Sequence, residues 1–105
     1  MSAKFKIYSK KIVNLKFLQK LKKKNINKKI ILCHGVFDIV HPGHIRHLIY
    51  AKEKADILIV SITTDIHIKK GIYRPLVPAN LRALNLAAFE IVDYVIIDNH
   101  SEPYN

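Results

Sequence analysis

Three short apolar runs constrain this chain most. Residues 29–34, 56–63 and 92–97 are rich in isoleucine, valine and leucine, and none is long enough for a helix or alternates as a half-exposed strand would. Continuous apolar stretches of this length are the mark of strands buried on both faces of a parallel sheet. Between the first two, residues 43–55 sort Ile45, Leu48, Ile49 and Lys52 between a core face and a solvent face, and residues 79–88 read as a further helix. Strand, helix, strand, loop plus helix, strand calls for right-handed crossovers, with helices on both faces of the sheet. The expected fold is α/β, a Rossmann-like parallel sheet with flanking helices. Such sheets bind ligands beyond the carboxyl ends of their strands, where strand order reverses. Segments 35–44, 63–70 and 98–100 fall at those ends.

The stretch after the first strand carries the strongest chemical signal. Gly35-Val-Phe-Asp38 makes a turn, and His41-Pro-Gly-His44 opens the helix behind it. Outward backbone N–H groups and the helix dipole favour an anion at such a place. Gly35 allows a phosphate or ribose to approach the main chain, Phe37 can anchor the turn in the core, and Asp38 can accept from nearby amides. His41 and His44, with Gly43 keeping the space between them clear, can supply donors to charge that develops on a phosphate.

Ahead of that stretch, Ile12-Val13 reads as a short extended piece and Asn14 as a helix cap, with Leu15, Leu18 and Leu21 at helical spacing among lysines. Residues 1–28 are expected to form a basic helical extension and residues 29–105 the α/β domain. The net charge is +10, much of it in Lys20, Lys22, Lys23, Lys24 and their neighbours before the motif. A lysine-rich, arginine-poor surface with few aromatics lacks the stacking platforms of nucleic-acid binders, so no nucleic-acid partner is expected. No run reaches the ~18 apolar residues of a membrane span, and no apolar core follows the charged N-terminus. The single cysteine, Cys33, excludes an internal disulfide and fits a reducing cytoplasm.

Other residues carry weaker signals. Thr63-Thr-Asp65 can recognise a hydroxyl or phosphate at the sheet's rim, or Asp65 can cap the next turn. Lys69-Lys70-Gly71, with Arg74-Pro75 behind, makes a basic loop able to fold over a polyphosphate. Arg82 can reach the same rim or pair with a carboxylate. His34, His41, His44, His47 and His67 raise the question of a metal, but His41, His44 and His47 advance by three and spread around a helix. Nothing else completes a zinc shell, so no protein-bound metal is expected, and His34 and His47 read as packing or surface residues.

Taken together, G-V-F-D-I-V-H-P-G-H, the strand ending T-T-D, K-G-x-x-R-P, the arginine at 82 and Val92-Asp-Tyr-Val95 resemble the cytidylyltransferase-like nucleotidyltransferases. The pattern is most similar to the adenylyltransferases of heptose 1-phosphate and next to the glycerol-3-phosphate cytidylyltransferases. The resemblance implies transfer of AMP or CMP from ATP or CTP to a small phosphorylated acceptor, with magnesium on the triphosphate and no protein nucleophile. It implies nucleotide contacts at Gly35, Val36, Phe37, His41, Gly43, His44 and Arg82, catalytic roles for His41, His44 and Lys70, and acceptor contacts at Asp65 and Lys69. It also implies a homodimer. Members of the family carry a further strand and a basic helix start after the region matched here. Nothing after Asp98 supplies them, so an incomplete domain is expected, with a non-catalytic nucleotide-binding or assembly module as the alternative.

Overall fold

A computed structural model describes residues 3–64 and 77–98, the side chains of residues 3–5 excepted. The elements are α1 (Ala3–Ser9), β1 (Ile12–Val13), α2 (Leu15–Lys24), β2 (Ile30–Gly35), α3 (Pro42–Lys54), β3 (Ile57–Thr63), α4 (Ala79–Ala87) and β4 (Tyr94–Asp98). The four strands form one sheet in the order β1-β4-β3-β2, every pair parallel.

β2 and β3 pair in register from Ile30↔Ile57 to Gly35↔Ile62. Period-two alternation then sends β-strand side chains to two different helix layers. Leu58, Val60, Ile62 and Val95, all at 0% exposure, meet Leu48 and Ala51 of α3 and Ala83, Leu86 and Ala87 of α4. On the other face Ile59 and Ile96 pack against Leu18 of α2, with Leu21, Ile30 and Ile57 around them. This division follows from the connections. The link from β1 to β2 crosses the whole sheet one way, while those through α3 and α4 step back the other way. With one crossover hand, opposite steps place helices on opposite faces.

Local chemistry sets the helix ends. Asn14 Oδ1 accepts from Phe17 N–H at 2.9 Å, closing the start of α2 as the sequence suggests. At its end Asn25 donates from Nδ2 to Leu21 O at 2.9 Å. α1 had no clear sequence signal. The N-terminal boundary expected at residue 28 runs inside this sheet, since residues before it supply both β1 and α2.

One expectation is corrected. The run 92–97 reads from the sequence as an exposed edge, but β4 lies between β3 and β1, with Ile12↔Val95 and Val13↔Ile96 as the outer pairs. Two β-branched residues are enough to cover the middle of that edge. Among the described strands, the outer ones are β1 and β2. Lys11 fastens the short strand: its backbone carbonyl accepts from Val95 N–H at 2.8 Å, and its Nζ donates to Phe89 O at 3.0 Å and Val92 O at 2.9 Å. Lys11→Met keeps most of the apolar stem but loses both ammonium contacts. It is expected to lower stability by roughly 1–3 kcal/mol in urea unfolding. An unchanged midpoint would mean that β1 is held by its backbone alone.

Candidate active site

The motif turn leaves the carboxyl end of β2, and α3 starts from it. His41 is the N-cap of α3, with extended backbone (φ −126°, ψ 172°), and Pro42 takes the first helical position. His41 Nδ1 accepts from Gly43 N–H at 3.0 Å, and His44 Nδ1 accepts from His41 N–H at 3.3 Å. This is a reciprocal capping arrangement built from two imidazoles instead of a hydroxyl and a carboxylate. Because Nδ1 is an acceptor in both, each neutral ring carries its proton on Nε2. The rings lie close, with centroids 3.9 Å apart and planes 32° from parallel. Two N–H donors therefore sit at the positive end of a 13-residue helix, where developing negative charge is stabilised most.

Glycine at 43 follows from this packing. A Cβ there would lie 2.8 Å from His41 Cε1 and 3.1 Å from its Nδ1. Gly43→Ala would displace the exposed His41 ring without touching the core. It is expected to leave stability roughly level, alanine's helix preference offsetting the weakened His41 cap, while weakening any triphosphate binding at this pair roughly 10- to 100-fold. Calorimetry beside a melting curve reads both effects, and unaltered affinity would show that His41 need not hold this pose.

The preceding turn is held under strain. Phe37 has φ of 50°, the left-handed region that bulky residues rarely occupy. Its ring is buried at 7% exposure, 5.2 Å from the ring of His44. A Cβ on Gly35 would come within 2.8 Å of Phe37 Cε2, so the glycine makes room for this ring as well as for any ligand. Burial of the aromatic offsets the cost of the backbone.

Two contacts from α4 and the segment before it brace the turn. Arg82, at 0% exposure, donates from Nη1 to Val36 O at 2.7 Å and from Nε to Val77 O at 2.9 Å. Asp38 Oδ1 accepts from Val77 N–H at 2.9 Å. The structure thus places Arg82 behind the site, gripping the carbonyl of Val36. What sequence reasoning missed is this bracing, although one clue was present: Arg82 stands in a helix whose other inward residues are Ala83, Leu86 and Ala87.

His41, Gly43, His44, Gly35, Val36 and Phe37 come together at the end of β2, with Arg82 beneath. Asp65, Lys69, Lys70, His67 and Arg74 lie outside the described residues. The strand-order reversal expected beside the motif is not found among the described strands, where β2 has β3 on one side only. Cys33 is buried within β2, and desolvation pushes its thiol up, away from nucleophilic use at neutral pH. Among the described residues, no group of three or more His, Cys, Asp or Glu side chains is placed to hold a metal.

A parallel α/β sheet with a histidine-capped helix at its carboxyl rim defines a protein of the Rossmann-like class. The chain belongs to the cytidylyltransferase-like family, whose pattern it matches over residues 32–105. The bifunctional protein HldE of Campylobacter jejuni strain RM1221 is 45% identical over 98 residues, 91% of this chain and 21% of that protein. HldE of a Nitratiruptor species is 46% identical over 79 residues, covering 73% of this chain and 17% of its own length. The crystal structure of a lipopolysaccharide core biosynthesis protein from Thermoplasma volcanium superposes with a TM-score of 0.62 at 29% identity, covering 70% of this chain and 60% of that one. The chain spans about a fifth of the length of the curated relatives it matches.

Proposed function

We propose that this chain forms nucleotidyltransferase machinery that moves AMP or CMP from a nucleoside triphosphate onto a sugar or alcohol phosphate. The observation that carries this reading is the His41–His44 pair, whose Nδ1 atoms are spent on backbone N–H groups, leaving protons on Nε2 at a helix start. A phosphate oxygen of the acceptor attacks the α-phosphorus, the bond to the bridging oxygen breaks, and pyrophosphate departs with that electron pair. His41 and His44 donate to the non-bridging oxygens as charge builds on them, and Arg82 holds the Val36 carbonyl so that the turn keeps its shape. Lys70 as a further catalytic cation, and Lys69 and Asp65 at the acceptor, complete the proposed site.

Magnesium bound to the triphosphate would supply charge neutralisation. The donor set fits a metal brought in by the substrate: the nearby described carboxylate, Asp38, is already engaged with Val77 N–H, and the histidines meet phosphate oxygens. A sugar phosphate is favoured as acceptor by the neighbour named for lipopolysaccharide core biosynthesis. A lone buried cysteine suits work in the cytoplasm. None of the helices among the described residues is long and apolar enough to cross a membrane.

Calorimetry with ATP and CTP, beside pyrophosphate release with sugar 1-phosphates and glycerol 3-phosphate, tests the reading. Binding of one nucleotide and acceptor-dependent release of pyrophosphate is the expected result. Binding with no release for any acceptor would make the chain a nucleotide-binding module, and failure to bind either nucleotide would overturn both.

A further inference from the structure

Both ring nitrogens of His34 are engaged within the sheet. Nδ1 lies 2.9 Å from Ser61 Oγ and Nε2 lies 3.3 Å from Thr63 Oγ1. Ser61 is its registered partner across the β2–β3 ladder, and Thr63 is two residues further along the same strand and on the same face. The imidazole therefore bridges two strand ends at the carboxyl rim, its nitrogen edge turned towards β3. A neutral imidazole offers one donor and one acceptor, and two hydroxyls can satisfy both. The residue is nevertheless exposed. With both nitrogens engaged, the ring face and carbon edge are what remain to meet a ligand.

Its surroundings continue that character. β2 alternates, so His34 lies on the sheet face opposite Cys33, which packs in the layer with α3 and α4. On the His34 face the next side chain back is Leu32, 40% exposed, which joins Leu15, Leu18, Ile30 and Ile59 around a mainly apolar groove also lined by Gln19 and Lys22. A pinned flat ring extended by an aliphatic side chain offers nothing to a phosphate but suits a planar group that stacks. Position supplies the link to chemistry, because His34 immediately precedes Gly35 and the turn that leads to His41 and His44.

We propose that His34 is a specificity-determining residue that receives the nucleoside half of the nucleotide, its ring serving as a platform for the base while His41 and His44 take the phosphates. This rests on the nucleotidyltransferase reading above. Ser61 and Thr63 act through His34 by fixing its ring, and so are positioning residues.

The test follows the histidine ring resonances of the full chain by NMR while ATP, CTP or inorganic tripolyphosphate is added. Signals of His41 and His44 should move with all three ligands, and those of His34 only with the two nucleotides. His34→Gln can still reach Ser61 but has no ring. It is expected to weaken ATP and CTP binding about 5- to 100-fold, the range found for losing one aromatic platform under a base, and to leave tripolyphosphate binding unchanged. His34→Phe should recover much of the lost nucleotide affinity, which a purely hydrogen-bonding role would not allow. Equal losses for nucleotides and tripolyphosphate, or none for either, would overturn the proposal. If tripolyphosphate fails to move His41 and His44, the phosphate site itself is misassigned and the role of His34 falls with it.

Discussion

His44→Ala is expected to slow nucleotidyl transfer by at least about 100-fold, the scale of removing one donor aimed at transition-state charge. The loss has two sources that a second substitution separates. The first is the Nε2 donor. The second is architectural: His44 Nδ1 caps His41 N–H, and its ring lies between Phe37 and His41, at centroid distances of 5.2 and 3.9 Å. Losing the cap should cost about 1 kcal/mol of stability. His44→Asn can restore an acceptor for His41 N–H without restoring the imidazole. Its stability should recover while its rate of pyrophosphate release stays low. A double variant, His41→Ala with His44→Ala, that releases pyrophosphate at the original rate would end the assignment of this pair.

Arg82→Ala carries the largest expected effect on stability. The guanidinium is fully buried and joins Val36 O to Val77 O, so its removal strands two carbonyls and opens a void beneath the turn. Breaking such a buried charged hub typically costs about 3–5 kcal/mol. Phe37 should suffer first, because its left-handed backbone persists only while its surroundings enforce it. Arg82→Lys should rescue little, since an ammonium on a narrower stem cannot reproduce the planar fork that meets both carbonyls. Urea unfolding measures the loss. A cost below about 1 kcal/mol for the alanine variant would show that the turn is held chiefly by Asp38 and the Phe37 ring.

Features that rest on local sequence were legible, and those that rest on distant partners were not. β2 and β3 were readable because an apolar run is itself the cause of a buried strand. The histidine pair at a helix start was readable because His41, Pro42, Gly43 and His44 are contiguous, but the reciprocal cap they form was seen only in the structure. β4 begins later than expected, at Tyr94. The two residues before it have other tasks: Val92 N–H closes a turn onto Phe89 O at 3.2 Å, and Asp93 Oδ2 accepts from Leu58 N–H at 2.7 Å and meets Lys52 Nζ at 2.8 Å. Arg82 was ambiguous because its carbonyl partner at Val36 lies 46 positions away in the chain. No spacing rule connects a helix residue to a turn so distant. The covered edge of β4 was hidden for the same reason, since a two-residue strand is too short to announce its partner.

The pairing of β1 with β4 has a consequence for how the protein is made. A ribosome releases Ile12 and Val13 long before Val95 and Ile96 exist. Until then the two residues, and the ammonium of Lys11, have no place to dock. Adjacent strands joined by a single helix, as β2 and β3 are by α3, can associate while synthesis continues, whereas contacts this far apart in sequence close late and slowly. Of the four described strands, β1 is therefore made first and is expected to settle into the sheet last.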